Sequence, residues 1–386
     1  MRSKFKNHGV VKRAVSVLLS VLLCACLHPF EVSAEPTVSA KAAVVLNGVT
    51  REVIWSKNGD EKLTMASTTK IMTSLLLIES GKLDETVTVT ADALVEGSSV
   101  GLRAGNTVTG RTLLAGMLLE SGNDAATASA IAVSGSVEKF AELMNRRAAE
   151  IGMTNSHFVT PSGLDAEGHY STAYDMALLT AEALLKKDFR ETCSAEKAQV
   201  SYSSPDSTHT FTNHNKLLDS YDGCIGVKTG YTKKSGRCLI SAARRNGKLI
   251  IAVTLSDPDD WNDHKKLLDY GMSKTESVDV TYHSPDMTIS VVGSDVSLAE
   301  LAVPECLLGL SAEEAKKVTS TANVVPFVYA PARAGQKVGT VDYYYNGWLI
   351  KTDNVYVGGS VGYSEREMTE GQRLIRSFRL LLSFYK

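Results

Sequence analysis

Strand patterning at two widely separated places brackets a helical middle, and that arrangement leaves few folds open. In "SAKAAVVLNGVTREVIWSKNGDEK" apolar and β-branched residues alternate through a turn at Asn47-Gly48 and stop at a second turn, Asn58-Gly59, which predicts two strands. A helix is expected from "MASTTKIMT" onward. Apolar residues then recur every three or four positions through "TGRTLLAGMLLESGNDAATASAIAV", "SVEKFAELMNRRAAEIG" and "TAYDMALLTAEALLKK". After residue 223 strands return as "GCIGVKTGY", a turn at "TKKSG", and "RCLISAARRNGKLIIAVTLS" with a turn at Asn246-Gly247, before a closing helix, "WNDHKKLLDYGM". Strands at both ends of a helical run imply one sheet whose edge strands come from distant parts of the chain, with helices on its faces.

The termini have other characters. Arg2, Lys4, Lys6, Lys12 and Arg13 precede the apolar run "AVSVLLSVLLCACL", and "VSA" ends at Ala34, so residues 1–34 are expected to be a signal peptide. A lipoprotein signal ending at Cys26 is the rival, with a better cleavage site following it. Cleavage removes five basic residues and Glu31, leaving 36 basic against 42 acidic side chains, a net −6. The whole chain carries −2, which excludes a generally basic, nucleic-acid-binding surface. Cys193, Cys224, Cys238 and Cys306 then remain, without Cys-x-x-Cys metal spacing. Buried thiols are the expectation, with any disulfide left open. Residues 277–365 lack helical periodicity and read as a small all-β domain. In 367–386, Leu374, Ile375, Phe378, Leu381, Leu382, Phe384 and Tyr385 gather on one side of a helical projection, with Arg373, Arg376, Arg379, Ser383 and Lys386 on the other. Too short and charged to span a bilayer, this stretch is expected to lie on an anionic membrane surface; docking on the β domain is the alternative.

Three motifs occur in order: "STTK" at 67–70, "SGN" at 121–123 and "KTG" at 228–230. Ser-x-x-Lys also occurs at Ser3, Ser136, Ser194 and Ser383, but only Ser67 stands at a strand-to-helix junction ahead of the other two motifs. A serine in the first turn of a helix and a lysine three residues on share a face, so Lys70 can serve Ser67 as base without a histidine relay. That lysine works only if its pKa is depressed by burial and a neighbouring cation, for which Lys228 is the candidate.

Together the motifs resemble the penicillin-binding proteins and serine β-lactamases. The resemblance implies that Ser121 relays protons toward the leaving group and that Asn123 positions Lys70 and the substrate. It implies an oxyanion hole from the N–H groups of Ser67 and Tyr231. It also implies that the substrate lies along the strand of Lys228, Thr229 and Gly230, with Lys228 and Thr229 near its carboxylate. Arg237, nine positions after Lys228, is a further candidate for an anionic substrate end. His169 and His214 read as structural or rim residues rather than general bases.

The Glu-x-x-Leu-Asn stretch of class A β-lactamases is missing. "MTNSHFVTPSGLDAEGHYSTAYDMALL", "ESGNDAA" and "GVKTGYT" instead resemble the low-molecular-mass D-alanyl-D-alanine carboxypeptidases, nearly end to end. That resemblance implies an α+β fold: an α/β-sandwich transpeptidase/β-lactamase-like catalytic domain at 35–276 with an antiparallel sheet, the β-rich domain at 277–365, and an amphipathic helix at 366–386. One departure is His214, where some members have an arginine. The implied reaction removes the terminal D-alanine from peptidoglycan pentapeptide stems through an acyl-enzyme on Ser67, outside the cytoplasm, without metal or cofactor and with β-lactams as covalent inhibitors. A serine β-lactamase and an inactive cell-wall peptide binder are the alternatives.

Overall fold

The computed structural model describes residues 35–204 and 206–364, so the expectations for 1–34 and 366–386 lie outside the described residues. In chain order the elements are β1 (Ala42–Asn47), β2 (Val53–Lys57), α1 (Lys70–Glu79), β3 (Thr86–Thr88), β4 (Thr107–Thr109), α2 (Gly110–Leu118), α3 (Asn123–Ser134), α4 (Val137–Ile151), α5 (Ala173–Ala183) and α6 (Lys187–Cys193). There follow β5 (Lys197–Ser204), β6 (Asp206–Thr212), α7 (Leu217–Ser220), β7 (Cys224–Thr232), β8 (Gly236–Arg245), β9 (Lys248–Leu255) and α8 (Asp260–Lys274). The β-rich end holds β10 (Val278–Asp279), β11 (Thr288–Val292), β12 (Leu298–Ala302), β13 (Leu307–Leu308), α9 (Ala312–Ala315), β14 (Val318–Val324), β15 (Phe327–Tyr329), β16 (Lys337–Tyr345) and β17 (Trp348–Val357).

The first sheet has the order β2-β1-β9-β8-β7, antiparallel throughout, so its edges come from opposite ends of the helical run. β1 is buried at every position. Ala42, Val44 and Leu46 join the large core beneath α1–α5, while Ala43 and Val45 join the smaller core under Leu267, Leu268 and Met272 of α8. A strand covered on both faces reads as an unbroken apolar run, which is why AAVVLN alternates so weakly.

Two features departed from the sequence reading. The helical pattern through residues 109–133 holds two helices: α2 ends at Leu118 and α3 starts at Asn123. Ser121 between them is left-handed at φ 62°. And Lys197–Ser204 and Asp206–Thr212, unassigned from the sequence, form the paired strands β5 and β6, which join β3 and β4 in a second sheet. Their serines and threonines face water on one side, so only half of a strand pattern was present.

The β-rich end forms a six-stranded sheet, β14-β16-β17-β12-β11-β15. It meets the helix-flanked sheet through the tip of the β16–β17 hairpin, where Tyr345 donates to Glu52 Oε1 at 3.4 Å and the Arg51 guanidinium lies 4.4 Å over the Trp348 ring. Asn47 Nδ2 adds a bond to Gly309 O at 2.9 Å. The four described cysteines are free.

Candidate active site

A short 3-10 turn, Ala66–Thr69, leads into α1. Ala66, the residue before Ser67, has φ 48°, a conformation that costs an alanine roughly 1 kcal/mol and more. The turn places Ser67 at the start of the helix, where backbone N–H groups lack intrahelical partners. Lys70 begins α1 and is fully buried. Its Nζ lies 2.9 Å from Ser67 Oγ, 2.8 Å from Asn123 Oδ1 and 2.7 Å from Ser162 O.

Those three partners are not equivalent. Asn123 Nδ2 donates to Glu96 O at 2.7 Å, which orients the amide so that Oδ1 faces Lys70. Asn123 Oδ1 and the Ser162 carbonyl can therefore only accept. A neutral amine has two N–H bonds and one lone pair. It would direct both hydrogens to these fixed acceptors, leaving the lone pair toward the Ser67 hydroxyl. The electrostatics favour that neutral form: burial above all, then the Lys228 cation, pull the Lys70 pKa well below 10.5, against a smaller opposing pull from Asp124.

Lys228 is itself fully buried on β7, with Nζ on Thr229 O at 2.9 Å, and burial lowers its pKa to about 7. The two amines share one region, so the first to lose its proton relieves the other. β7 is an edge strand, bonded among the described residues only to β8. Gly230 faces the start of the helix: a Cβ there would lie 3.1 Å from both Ser67 N and Met65 O. Thr229 is half-buried beside it, and Tyr231 is exposed at the mouth. Ser121 is only 7% exposed, and its hydroxyl makes no hydrogen bond among the described residues.

Arg237 is engaged elsewhere. Its Nε and Nη2 grip both Asp260 oxygens at 3.0 and 2.6 Å, and Trp261 stacks near its guanidinium. Asp260 thus takes the Nε–Nη2 edge of the guanidinium, while the side chain stays 43% exposed. His169 is buried and tied into the scaffold: Val159 N–H donates to its Nδ1 at 3.0 Å, so Nε2 carries the hydrogen it gives to Thr69 Oγ1 at 3.0 Å. Burial lowers its pKa to about 4. His214 lies on the rim, 3.5 Å from Glu120.

Sequence reasoning missed three contributors. The Ser162 carbonyl is a backbone group with no side-chain signature. It is held in place by Gly163 at φ 86°, where a Cβ would lie 1.9 Å from Ala66 O. Asp124 is buried and accepts from Ser99 Oγ and from the N–H groups of Val100 and Leu102, fastening the 96–102 segment over Asn123. Glu120 accepts from Thr212 N at 2.6 Å, joining β6 to the Ser121 turn. Glu120 and Asp124, the letters on either side of "SGN", were within reach of a motif search, and the Ser162 carbonyl was not.

The model of the D-alanyl-D-alanine carboxypeptidase family matches residues 30–259, more than half of the chain. The chain belongs to that family. It is 34% identical over 314 residues to the D-alanyl-D-alanine carboxypeptidase DacF of Bacillus subtilis, covering 78% of this chain and 80% of that one. It is 35% identical over 354 residues to DacC of Escherichia coli, covering 85% and 87%. Among solved structures, the Streptomyces K15 DD-transpeptidase aligns with a TM-score of 0.59 at 32% identity, over 62% of this chain and 99% of that one. Penicillin-binding protein 5 of Haemophilus influenzae aligns with a TM-score of 0.59 at 26% identity, over 85% and 99%. That second alignment reaches well past residue 276, so the carboxypeptidase family likeness extends into the β-rich end.

Proposed function

We propose that this member of the family is a serine D-Ala-D-Ala carboxypeptidase acting on peptidoglycan pentapeptide stems. The observation that carries the reading is the Lys70 amine, buried, 2.9 Å from Ser67 Oγ, with two fixed acceptors for its hydrogens. Ser67 attacks the carbonyl of the penultimate D-alanine while Lys70 takes the hydroxyl proton. The N–H groups of Ser67 and Tyr231 hold the oxyanion, and D-alanine leaves with a proton relayed through Ser121. The peptide lies along the open edge of β7, with its carboxylate toward Lys228 and Thr229. Water then cleaves the acyl-enzyme. A β-lactam enters by the same route and stays longer.

In this reading residues 1–34 direct export, 35–276 are catalytic, 277–365 form the small β domain, and 366–386 hold the enzyme on the outer face of the cytoplasmic membrane. Among the described residues no helix is long and apolar enough to cross a membrane.

Incubation with labelled penicillin, followed by intact mass and peptide mapping, tests the proposal. A lasting adduct on Ser67, absent from Ser67→Ala, together with D-alanine release from a D-Ala-D-Ala peptide, is expected. Rapid turnover of penicillin without a lasting adduct would mean a β-lactamase, and no adduct at all an inert binder.

A further inference from the structure

The far pole of the β-rich end carries an apolar face that the acyl-transfer reading does not use. β11 and β15 run parallel, pairing Ser290 with Phe327 and Val292 with Tyr329, while Leu298 of β12 lies opposite Ser290. On this outward side Phe327, Tyr329, Val292 and Leu298 are exposed, as is Val296 in the turn between β11 and β12. Phe327 and Tyr329 pack edge to face at 5.3 Å. The exposed Tyr363 ring comes within 3.7 Å of the position a Cβ on Gly293 would take, which extends the same surface. Tyr329 and Tyr363 are 68% and 63% exposed, more than a folded protein usually leaves of a ring.

Position argues for what covers this face. β17 runs from Trp348, at the hairpin tip docked on Arg51, to Val357, which pairs with Leu301 of β12. Ten residues of strand thus put about 30 Å between the docked tip and the end that carries the patch. β8 likewise starts at Gly236, beside the hairpin that follows Gly230, and ends at Arg245, on the side where the β-rich end docks. Both strands lead away from the docking contact, β8 toward the Ser67 side and β17 toward the patch. The chain also leaves the described structure at this pole: Ser364 N donates to Gly293 O at 3.3 Å and its hydroxyl to Asp295 at 2.6 Å. The next residues, 365–386, carry Arg373, Arg376, Arg379 and Lys386 against an apolar side.

We propose that this face is a second membrane contact, seated in the headgroup region of an anionic phospholipid surface beside the terminal segment. Amphipathic rings such as Tyr329 and Tyr363 suit that boundary, with ring bodies toward the acyl chains and hydroxyls toward water. The terminal arginines supply the attraction to anionic lipid that an acidic protein otherwise lacks. Contact through this face turns the outward side of β11 and β15 toward the lipid. The inference builds on the membrane reading of 366–386 but not on the chemistry at Ser67.

The test uses residues 35–386 and vesicles of equal phosphatidylglycerol and phosphatidylcholine. Trp is introduced as Tyr329→Trp, with Val53→Trp on the helix-flanked sheet as the exposed control. Vesicles should shift the Tyr329→Trp emission to the blue, and brominated phosphatidylcholine should quench the added signal at least twofold while leaving Val53→Trp unchanged. The double variant Phe327→Ser/Tyr329→Ser should bind vesicles at least tenfold more weakly, with unchanged melting temperature and penicillin adduct yield. Vesicle binding without quenching of Tyr329→Trp overturns the proposal, as does failure of every form to bind. An emission already blue and indifferent to lipid also overturns it, because the terminal segment or a second copy then covers the face. Loss of penicillin labelling in every form would instead strike the carboxypeptidase reading alone.

Discussion

Gly230→Ala separates the space in the site from the stability of the fold. Gly230 does not require positive φ, so an alanine can adopt its backbone. The added Cβ would lie 3.1 Å from Met65 O and Ser67 N and 3.2 Å from Ala66 Cβ, and a shift of a few tenths of an ångström relieves it. We expect a stability loss of about 1 kcal/mol, the low end for one added methyl. Acylation should suffer far more. An oxyanion held by Ser67 N–H must lie about 2.7–3.1 Å from that nitrogen. A methyl at 3.1 Å from the same atom crowds this volume, since carbon and oxygen settle near about 3.5 Å. Losing one donor of an oxyanion hole costs about 10²–10³ in rate, about 3–4 kcal/mol. Stopped-flow acylation by a fluorescent penicillin and a thermal melt on the same sample read the two effects. An acylation rate within tenfold of the parent's, at an unchanged melting temperature, would refute the placement of the oxyanion beside Gly230.

The mechanism needs Lys70 neutral and Lys228 charged; free Lys70 amine accumulates as pH rises, whereas the Lys228 cation is lost above about 7. Acylation by a carboxylate-bearing penicillin should therefore decline between pH 7 and 9, with Lys228→Gln lacking that limb; a rate climbing steadily to pH 10 would be incompatible with these roles. His169 has a folded pKa of about 4 against 6.5 unfolded, so the unfolded chain takes up the proton first and stability is lost as pH falls from 6.5 to about 4, by up to about 3 kcal/mol. Urea unfolding at pH 7 and 4.5 should show that loss diminished in His169→Gln, and equal losses in both proteins would contradict it. Arg237→Gln should leave penicillin acylation within about threefold, because its guanidinium is held by Asp260; a hundredfold loss, measured by the same stopped-flow assay, would restore it to the substrate site.

Local chemistry was legible in the sequence because it depends on short spacings. A serine and lysine one helical turn apart meet in any helix, and Asn47-Gly48 and Asn246-Gly247 mark turns whatever surrounds them. The order strand, helices, strand left little choice but a sheet closed between distant segments. What tertiary structure alone decided is which groups face Lys70. The Ser162 carbonyl and Glu96 O come from loops far from either motif and carry no side-chain signature, so no pattern of letters could disclose them. Arg237 adds a second case: its place one strand over from Lys228 was visible in the sequence, whereas its pairing with Asp260 of α8 comes from the fold alone. Lys70 and Lys228 are lysines like any other until the fold removes water from both, and their altered pKa values exist only in the folded chain, because desolvation and the proximity of two cations are properties of packing.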